Sequence, residues 1–176
     1  MPVTDYLTTC YTRIWTLLEA SSDFTTAVKP GNRRRLDQKL AQPFKMNETS
    51  AGFPQFSLMM GPGKRDMFTK TTVFQTFKSG GPCDSYQDCP QAYDLFIVHD
   101  IPDITKTNAM KAIVEAALFL GGPTLGVAKL YKWTLDWQAD KLTSRPVCPG
   151  GDPFGVTRYI QQCRINVTFR THGALA

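Results

Sequence analysis

Residues 158–170 read Arg-Tyr-Ile-Gln-Gln-Cys-Arg-Ile-Asn-Val-Thr-Phe-Arg, and apolar and polar side chains alternate along most of this stretch. Successive side chains of a β-strand point to opposite faces, so a period of two is typical of a strand with one buried and one solvated face. The buried face is predicted to hold Tyr159, Cys163, Ile165, Val167 and Phe169, and the solvated face Gln162, Arg164, Asn166, Thr168 and Arg170. We expect a long strand of antiparallel type whose polar face is available to a partner.

Two longer segments have helical periodicity instead. Residues 5–20 carry an apolar stripe that includes Leu7, Cys10, Ile14 and Leu18, with Thr4 as a plausible N-cap. Residues 106–120 follow a capping Thr105 and end at Gly121-Gly122-Pro123. The predicted buried stripe of this second helix consists of Met110, Ile113, Val114, Ala117 and Leu120. A short helix is predicted over 23–28, capped by Ser22, before a turn at residues 29–32.

Further strands are predicted over 53–60, 67–78, 92–99 and 126–138, separated by segments rich in Gly, Pro and polar residues. Residues 79–91 and 139–155 are predicted loops, and 33–66 is a long irregular loop that contains the first of these strands. The order of helix, loop, strands, helix and strands predicts an α+β fold. We expect one domain over residues 1–176, with a mainly antiparallel sheet in one layer and two main helices packed on one face of it.

Composition excludes little. The 176 residues carry a net charge of +5, which is too mild to demand nucleic acid as a partner. The N-terminus lacks a basic start followed by an apolar stretch, and no segment approaches the roughly 20 apolar residues of a membrane span. We therefore expect neither a secretory leader nor a membrane anchor, and a protein made in a cytoplasm.

Five cysteines give no C-x-x-C spacing, so neither a disulfide framework nor a zinc site is indicated. Cys10 and Cys163 fall on apolar faces and are predicted to be small core residues. Cys83 and Cys89 bracket a predicted loop that they could close if oxidised, although reduced thiols are the cytosolic default.

Signals for catalysis are weak. Of the two histidines, His99 precedes Asp100 at the end of a predicted strand, where a loop or partly buried role is favoured over a catalytic one. The Gly61-Pro62-Gly63-Lys64 turn lacks the spacing and the Ser or Thr of a phosphate-binding loop. Carboxylates do not cluster as in a calcium or magnesium loop. The sequence predicts no catalytic residues, no metal and no cofactor.

The densest basic cluster is Arg33-Arg34-Arg35. It could contact phosphates, remain a solvated face, or form salt bridges at an edge between identical subunits. Large apolar residues also occur in the neighbouring Pro- and Gly-rich stretch: Phe44, Met46, Phe53, Phe56, Met59 and Met60. They could fold under the sheet or be buried against a neighbouring subunit.

The order of several short motifs resembles that of the tail terminator and tail-completion proteins of long-tailed bacteriophages. The first is an amphipathic helix that ends in a turn containing Asp23-Phe24. The others, in chain order, are Pro30-Gly31-Asn32-Arg33, Phe53-Pro54-Gln55-Phe56-Ser57-Leu58, Ala117-Leu118 with Gly122-Pro123-Thr124-Leu125-Gly126, and Phe169-Arg170-Thr171. The resemblance spans most of the chain, although none of these motifs is a chemical signature.

The resemblance implies a non-enzymatic role in the virion, after assembly in the host cytoplasm. Such proteins form a ring, usually of six subunits, on the last ring of the tail tube, end tube polymerisation and join the tail to the neck. The expected partners are copies of the chain, the tail tube protein and a neck or connector protein. On this reading, Arg33, Arg34, Arg35, Phe44, Met46, Phe53 and Phe56 form a subunit or tube interface. Arg164 and Arg170 face a channel through which DNA passes without being read.

Three other functions stay open. A neck or head–tail connector subunit would belong to the same class at another level of the particle. A small hydrolase or transferase would assemble a site from His99, Asp100 and distant residues. A nucleic-acid-binding module would show salt-dependent binding that is lost when Arg33, Arg34 and Arg35 become alanine.

Overall fold

The computed structural model describes residues 6–35, 53–60, 84–99, 103–139, 141–144 and 157–174. In these ranges the helices are α1 (Tyr6–Ala20), α2 (Ser22–Ala27) and α3 (Ile104–Phe119). The strands are β1 (Arg33–Arg34), β2 (Gln55–Met60), β3 (Asp84–His99), β4 (Leu130–Trp137), β5 (Lys141–Ser144) and β6 (Thr157–Ala174). Short 3-10 turns cover Pro30–Asn32 and Gly122–Thr124.

The strands form one sheet in the order β1-β2-β3-β6-β4, and β5 also pairs with β6. The pairs β2–β3, β3–β6, β4–β6 and β5–β6 are antiparallel, and only the short β1–β2 pair is parallel among the described strands. The predicted α+β class with a mainly antiparallel sheet is therefore confirmed. β6 is an interior strand, because β3 lies on one side of it and β4 and β5 lie on the other.

The helices cover one face of the sheet. Their buried side chains form a single core with the inward side chains of β2, β3 and β6, including Leu58, Leu95 and Ile165. Two tyrosine hydroxyls also join α1 to the sheet. Tyr93 Oη donates to the Leu7 carbonyl at 2.8 Å, and Tyr11 Oη donates to the Leu58 carbonyl at 3.1 Å. The prediction of two main helices on one face is confirmed.

The helix predictions are confirmed except at their ends. Ser21, not Ser22, caps α2, because its hydroxyl accepts from the Phe24 amide at 3.3 Å. Asp103, not Thr105, caps α3, and its carboxylate accepts from the Thr105 amide at 2.9 Å. Leu120 was wrongly assigned to the buried stripe. It lies just after the last helical residue and is 78% exposed, whereas Leu118 is buried.

The alternation in β6 is confirmed. Cys163, Ile165, Val167 and Phe169 are buried, and Tyr159 is half-buried. The predicted loop 79–91 is wrong from Asp84 onwards, since β3 already pairs there with residues 167–174 of β6. Part of the predicted loop 139–155 is also wrong, because β5 pairs with residues 157–160 of β6. In both cases a long neighbouring strand supplies backbone partners, so a polar sequence can still form a strand.

β4 begins four residues later than the 126–138 strand prediction. Leu125, Gly126 and Lys129 have positive φ angles of 48°, 69° and 63°, which belong to a turn and not to a strand. The predicted strand 67–78, the Thr4 cap, residues 36–52 of the irregular loop, Cys83 and Asp100 lie outside the described residues. Within the described part of the chain, no helix is long and apolar enough to cross a membrane.

Candidate interaction surface at the β4 edge

β4 lies at the end of the sheet and pairs only with β6 among the described strands. The Gln138 amide donates to the Gln162 carbonyl at 2.8 Å, so Gln138 and residues 136 and 134 before it direct their backbone groups towards β6. The intervening Trp133 and Leu135 direct their amides and carbonyls outward. No hydrogen bond from these outward groups is present within the described chain. Among the residues that the structure describes, nothing pairs with this side of β4, which we call its open edge.

A groove of about 760 Å³ runs along this edge, between β4 and the C-terminal end of α3. We call it the β4 edge surface; it is lined by Glu115, Phe119, Gly122, Pro123, Tyr131, Lys132, Trp133, Thr134 and Leu135. Two indole groups of β4 bind residues that line the groove on the side of α3. Trp133 Nε1 donates to the Gly122 carbonyl at 2.9 Å, and Trp137 Nε1 donates to Glu115 Oε1 at 2.7 Å.

Large apolar side chains are exposed at this surface. Phe119 is 64% exposed and packs its ring 5.5 Å from that of Trp133, while Tyr131 is 51% exposed. Leu120, at 78% exposure, directly follows Phe119. Three of the four large apolar side chains that are exposed in the described chain thus lie in or beside the groove; the fourth, Ile104, is at the opposite end of α3. A cluster of exposed apolar side chains is typical of an interaction site.

The turn after α3 holds the groove in place. A Cβ atom on Gly121 would lie 2.7 Å from Leu17 Cδ1 and 3.0 Å from Leu125 Cα, so the chain passes too close here for a larger residue. Arg13 Nε donates to the Leu125 carbonyl at 2.9 Å, which ties the turn to α1. The position of Trp133 relative to Phe119 therefore depends on contacts made by α1.

The predicted arginine cluster binds its own chain. Arg33 donates to the Val28 carbonyl through Nε at 2.9 Å and Nη2 at 2.6 Å, and its guanidinium lies over the Phe24 ring. Arg35 forms an ion pair with Glu19 at 2.7 Å and lies over the Trp15 ring. Arg34 donates to the Gly31 carbonyl at 3.0 Å. The Arg33 contacts close the C-terminal end of α2, and all three arginines have a structural role.

The predicted interface residues that the structure describes differ in exposure, although Arg33 of β1 pairs with Phe56 of β2. Phe56 is 1% exposed and packs edge-on against Trp15 and Phe24, so its assignment to an interface is corrected to the core. Phe56 therefore follows the other option that the sequence left open, which is burial within its own chain. Phe53 is half-buried, and Phe44 and Met46 lie outside the described residues.

The two predicted channel-facing arginines both lie on the face of the sheet away from the helices. Arg164 binds Asp94 through two contacts of 2.9 and 3.3 Å, and this hydrogen-bonded carboxylate raises the pKa of the Arg164 guanidinium. Arg170 lies 3.5 Å from the centroid of the Tyr131 ring, and its backbone pairs with Asp88 of β3. The charge of Arg164 is therefore largely balanced within the chain.

His99 is 5% exposed and is part of a buried polar chain. Its Nε2 is 2.8 Å from Gln161 Oε1, and Gln161 Nε2 donates to the Thr107 carbonyl at 3.3 Å. Since the amide oxygen can only accept, Nε2 of His99 carries a hydrogen. This chain joins β3 and β6 to the first turns of α3, and His99 does not line the groove at β4.

Cys10 and Cys163 are fully buried and free, as predicted. Burial raises the pKa of the Cys10 thiol to about 11 and that of Cys163 to about 12, so both stay protonated near neutral pH. Among the residues in the described ranges, no three His, Cys, Asp or Glu side chains are grouped as metal ligands.

No protein-family model matches this chain, and no curated protein is significantly similar to it. The β4 edge surface itself was not predicted from the sequence. One signal for it exists: residues 116–120 are all apolar, and five consecutive helical residues point all around the helix axis, so some of them must lie outside the buried stripe.

Proposed function

We propose that this protein is a structural virion subunit that acts by self-association. It forms a ring at the end of a bacteriophage tail tube, ends tube polymerisation and joins the tail to the neck. In this role it needs no cofactor and transforms no substrate, and DNA meets it only in passage through the ring. The observation that carries the proposal is the β4 edge surface, where an open strand edge coincides with the exposed Phe119 and Tyr131 rings.

An open strand edge favours contact with another subunit. Outward amides and carbonyls such as those of Trp133 and Leu135 form a template for a further strand. The apolar groove beside them gives such a strand a surface to bury. Addition of a strand at a sheet edge combines backbone hydrogen bonds with side-chain pockets, which suits a repeated contact between protein subunits.

The motifs that resemble tail terminator proteins occupy positions where they shape the fold. Pro30–Asn32 forms the turn between α2 and β1, and Gly122–Thr124 forms the turn between α3 and β4. The Phe56–Leu58 part of the third motif lies within β2, and Phe169 lies on β6. The resemblance therefore concerns the order of turns and strands along the chain. This supports a similar architecture in the two kinds of protein.

A matched pair of variants on α3 tests the proposal. Phe119→Lys places a charge in the groove, whereas Ile104→Lys makes the same kind of change at an equally exposed position at the other end of the helix. Light scattering on the wild-type protein should give a mass near six copies of the 19.7 kDa chain, about 118 kDa. Electron microscopy should show rings with a central channel.

We expect Phe119→Lys to abolish these rings while leaving the fold intact, because the side chain is mostly solvated in the single subunit. Ile104→Lys should keep them. A wild-type protein that stays at the mass of one chain over the whole concentration range would contradict the proposal. Location of the ring in assembled particles, at the tube end or within the neck, then separates a terminator from a connector subunit.

A further inference from the structure

β4 carries apolar residues next to Thr134 on both sides, and charged residues of opposite sign two positions from it on either side. Lys132 precedes Thr134 by two residues and Asp136 follows it by two. Both charged side chains are exposed on the face of the sheet away from the helices. Trp133 and Leu135, the residues with outward backbone groups, flank Thr134 directly and place their side chains on the helix face.

Only some registers are open to two β4 edges that meet antiparallel. Hydrogen-bonded pairs must join residues whose backbone groups point outward, so a two-fold axis has to pass through a residue position and not between two positions. An axis at residue 132 opposes two lysines, and an axis at residue 136 opposes two aspartates. An axis at residue 133 or 135 places an uncharged residue, Thr134 or Gln138, opposite Lys132. Among these positions only an axis at Thr134 places each Lys132 directly opposite Asp136 of the second copy.

We propose that in the free protein the β4 edge pairs with the β4 edge of a second copy, about a two-fold axis through Thr134. Trp133 and Leu135 of the second copy then form a hydrogen-bonded pair, and the symmetry repeats this pair on the other side of the axis. The contact satisfies the outward backbone groups of both strands. It also continues the sheet from one copy into the other.

Charge and side-chain positions support this occupant. Lys132 meets Asp136 of the second copy at a position without a backbone hydrogen bond, where cross-strand side chains are closest. Asp136 also accepts from Gln138 Nε2 at 2.8 Å within its own chain and lies beside Arg164, so the second copy adds to an existing polar cluster. On the helix face, Trp133 meets Leu135 of the second copy next to Phe119.

This pairing concerns the free protein at concentrations below those at which rings form, and it does not depend on the ring. If the same edge serves the tail tube or a neighbouring subunit, the pair has to open first. The pairing would then cover the β4 edge until a tail tube displaces the second copy. Proteins commonly cover an exposed strand edge in this way to prevent unwanted association.

Charge reversal at the two positions tests the pairing. Lys132→Asp opposes aspartates at both ends of the contact, and Asp136→Lys opposes lysines. Each single variant should weaken self-association at least about tenfold, because two attractive cross-strand pairs become repulsive. The double variant Lys132→Asp/Asp136→Lys restores opposite charges and should recover the wild-type association constant. Sedimentation velocity over a dilution series measures all four proteins, with circular dichroism as the check on folding.

Lys106→Asp is the matched control, since it makes the same charge change at an exposed position in the first turn of α3. It should associate like the wild-type protein. The pairing is refuted if the wild-type protein shows no two-copy step in mass. It is also refuted if the single reversals leave association unchanged, or if the double variant is as weak as the singles. A ring whose mass is unaffected by Lys132→Asp would remove this inference and leave the proposed function standing.

Discussion

Replacement of Gly121 by alanine tests how tightly the turn after α3 is packed against α1. Gly121 has φ −73° and ψ −9°, a conformation that alanine adopts without strain, so the space around its Cα alone decides the outcome. A Cβ would lie 2.7 Å from Leu17 Cδ1, 3.0 Å from Leu125 Cα and 3.2 Å from the Leu118 carbonyl oxygen. The Leu17 methyl group can rotate away, but the two backbone atoms move only with the turn itself.

The expected magnitude follows from two opposing effects. Gly-to-Ala replacement at a compatible backbone conformation stabilises a protein by about 0.4–1 kcal/mol, because it restricts the unfolded chain. Forcing an extra methyl group into a packed site costs roughly 1–3 kcal/mol. Because two of the three close contacts are to backbone, packing should dominate, and we expect Gly121→Ala to lower the free energy of unfolding by about 1–2 kcal/mol.

Gly31→Ala is the matched control, since nothing lies within 4 Å of a Cβ at that position. It should leave the unfolding free energy unchanged or raise it by up to about 1 kcal/mol. Urea titrations followed by tryptophan fluorescence measure both variants, and the midpoint should shift while the slope stays constant. If Gly121→Ala is as stable as Gly31→Ala, the close approach of the turn to α1 is refuted.

Two further changes probe the core. Tyr93→Phe removes the hydroxyl that donates to the Leu7 carbonyl, so it should lower the free energy of unfolding in urea by roughly 1 kcal/mol. Tyr131→Phe, at an exposed position, should not change this free energy measurably. Equal effects of the two changes would contradict the Tyr93 contact. Burial raises the pKa of Cys10 from 9.0 to about 11 and that of Cys163 to about 12, so both thiols stabilise the folded state below pH 9, and this contribution is lost as the pH rises towards 11 and 12. Stability should therefore fall more steeply above pH 9 in the wild-type protein than in a Cys10→Ala/Cys163→Ala variant, and identical pH profiles would show that the thiols are not buried.

Periodicity predicted the helices and strands whose apolar side chains all lie on one face. β6 alternates cleanly, and α1 and α3 carry stripes at helical spacing, so the fold class followed from local patterns. The N-terminal half of β3 and all of β5 were missed because their residues are polar and include Pro90. These segments are strands because β6 is long enough to pair with them. The length of β6 cannot be read from the residues of the segments that pair with it.

The candidate site was missed for a related reason. Arg33 stood out as part of a dense basic cluster, yet its donors are used by the Val28 and Thr25 carbonyls at the end of α2. The sequence does not reveal the irregularity between Leu130 and Lys132, which shifts the register of β4 so that Tyr131 stacks with Arg170. The open edge itself depends on which strand lies last in the sheet, and strand order is a property of the whole topology.

Amide hydrogen exchange at single residues of β4 tests the role of this edge most directly. The amides of Thr134 and Asp136 point towards β6 and should be protected at every protein concentration. The amides of Trp133 and Leu135 point away from the sheet, so they should exchange freely in dilute protein and become protected as the concentration rises. Rapid exchange of Trp133 and Leu135 at concentrations where the protein is associated would show that its copies meet elsewhere.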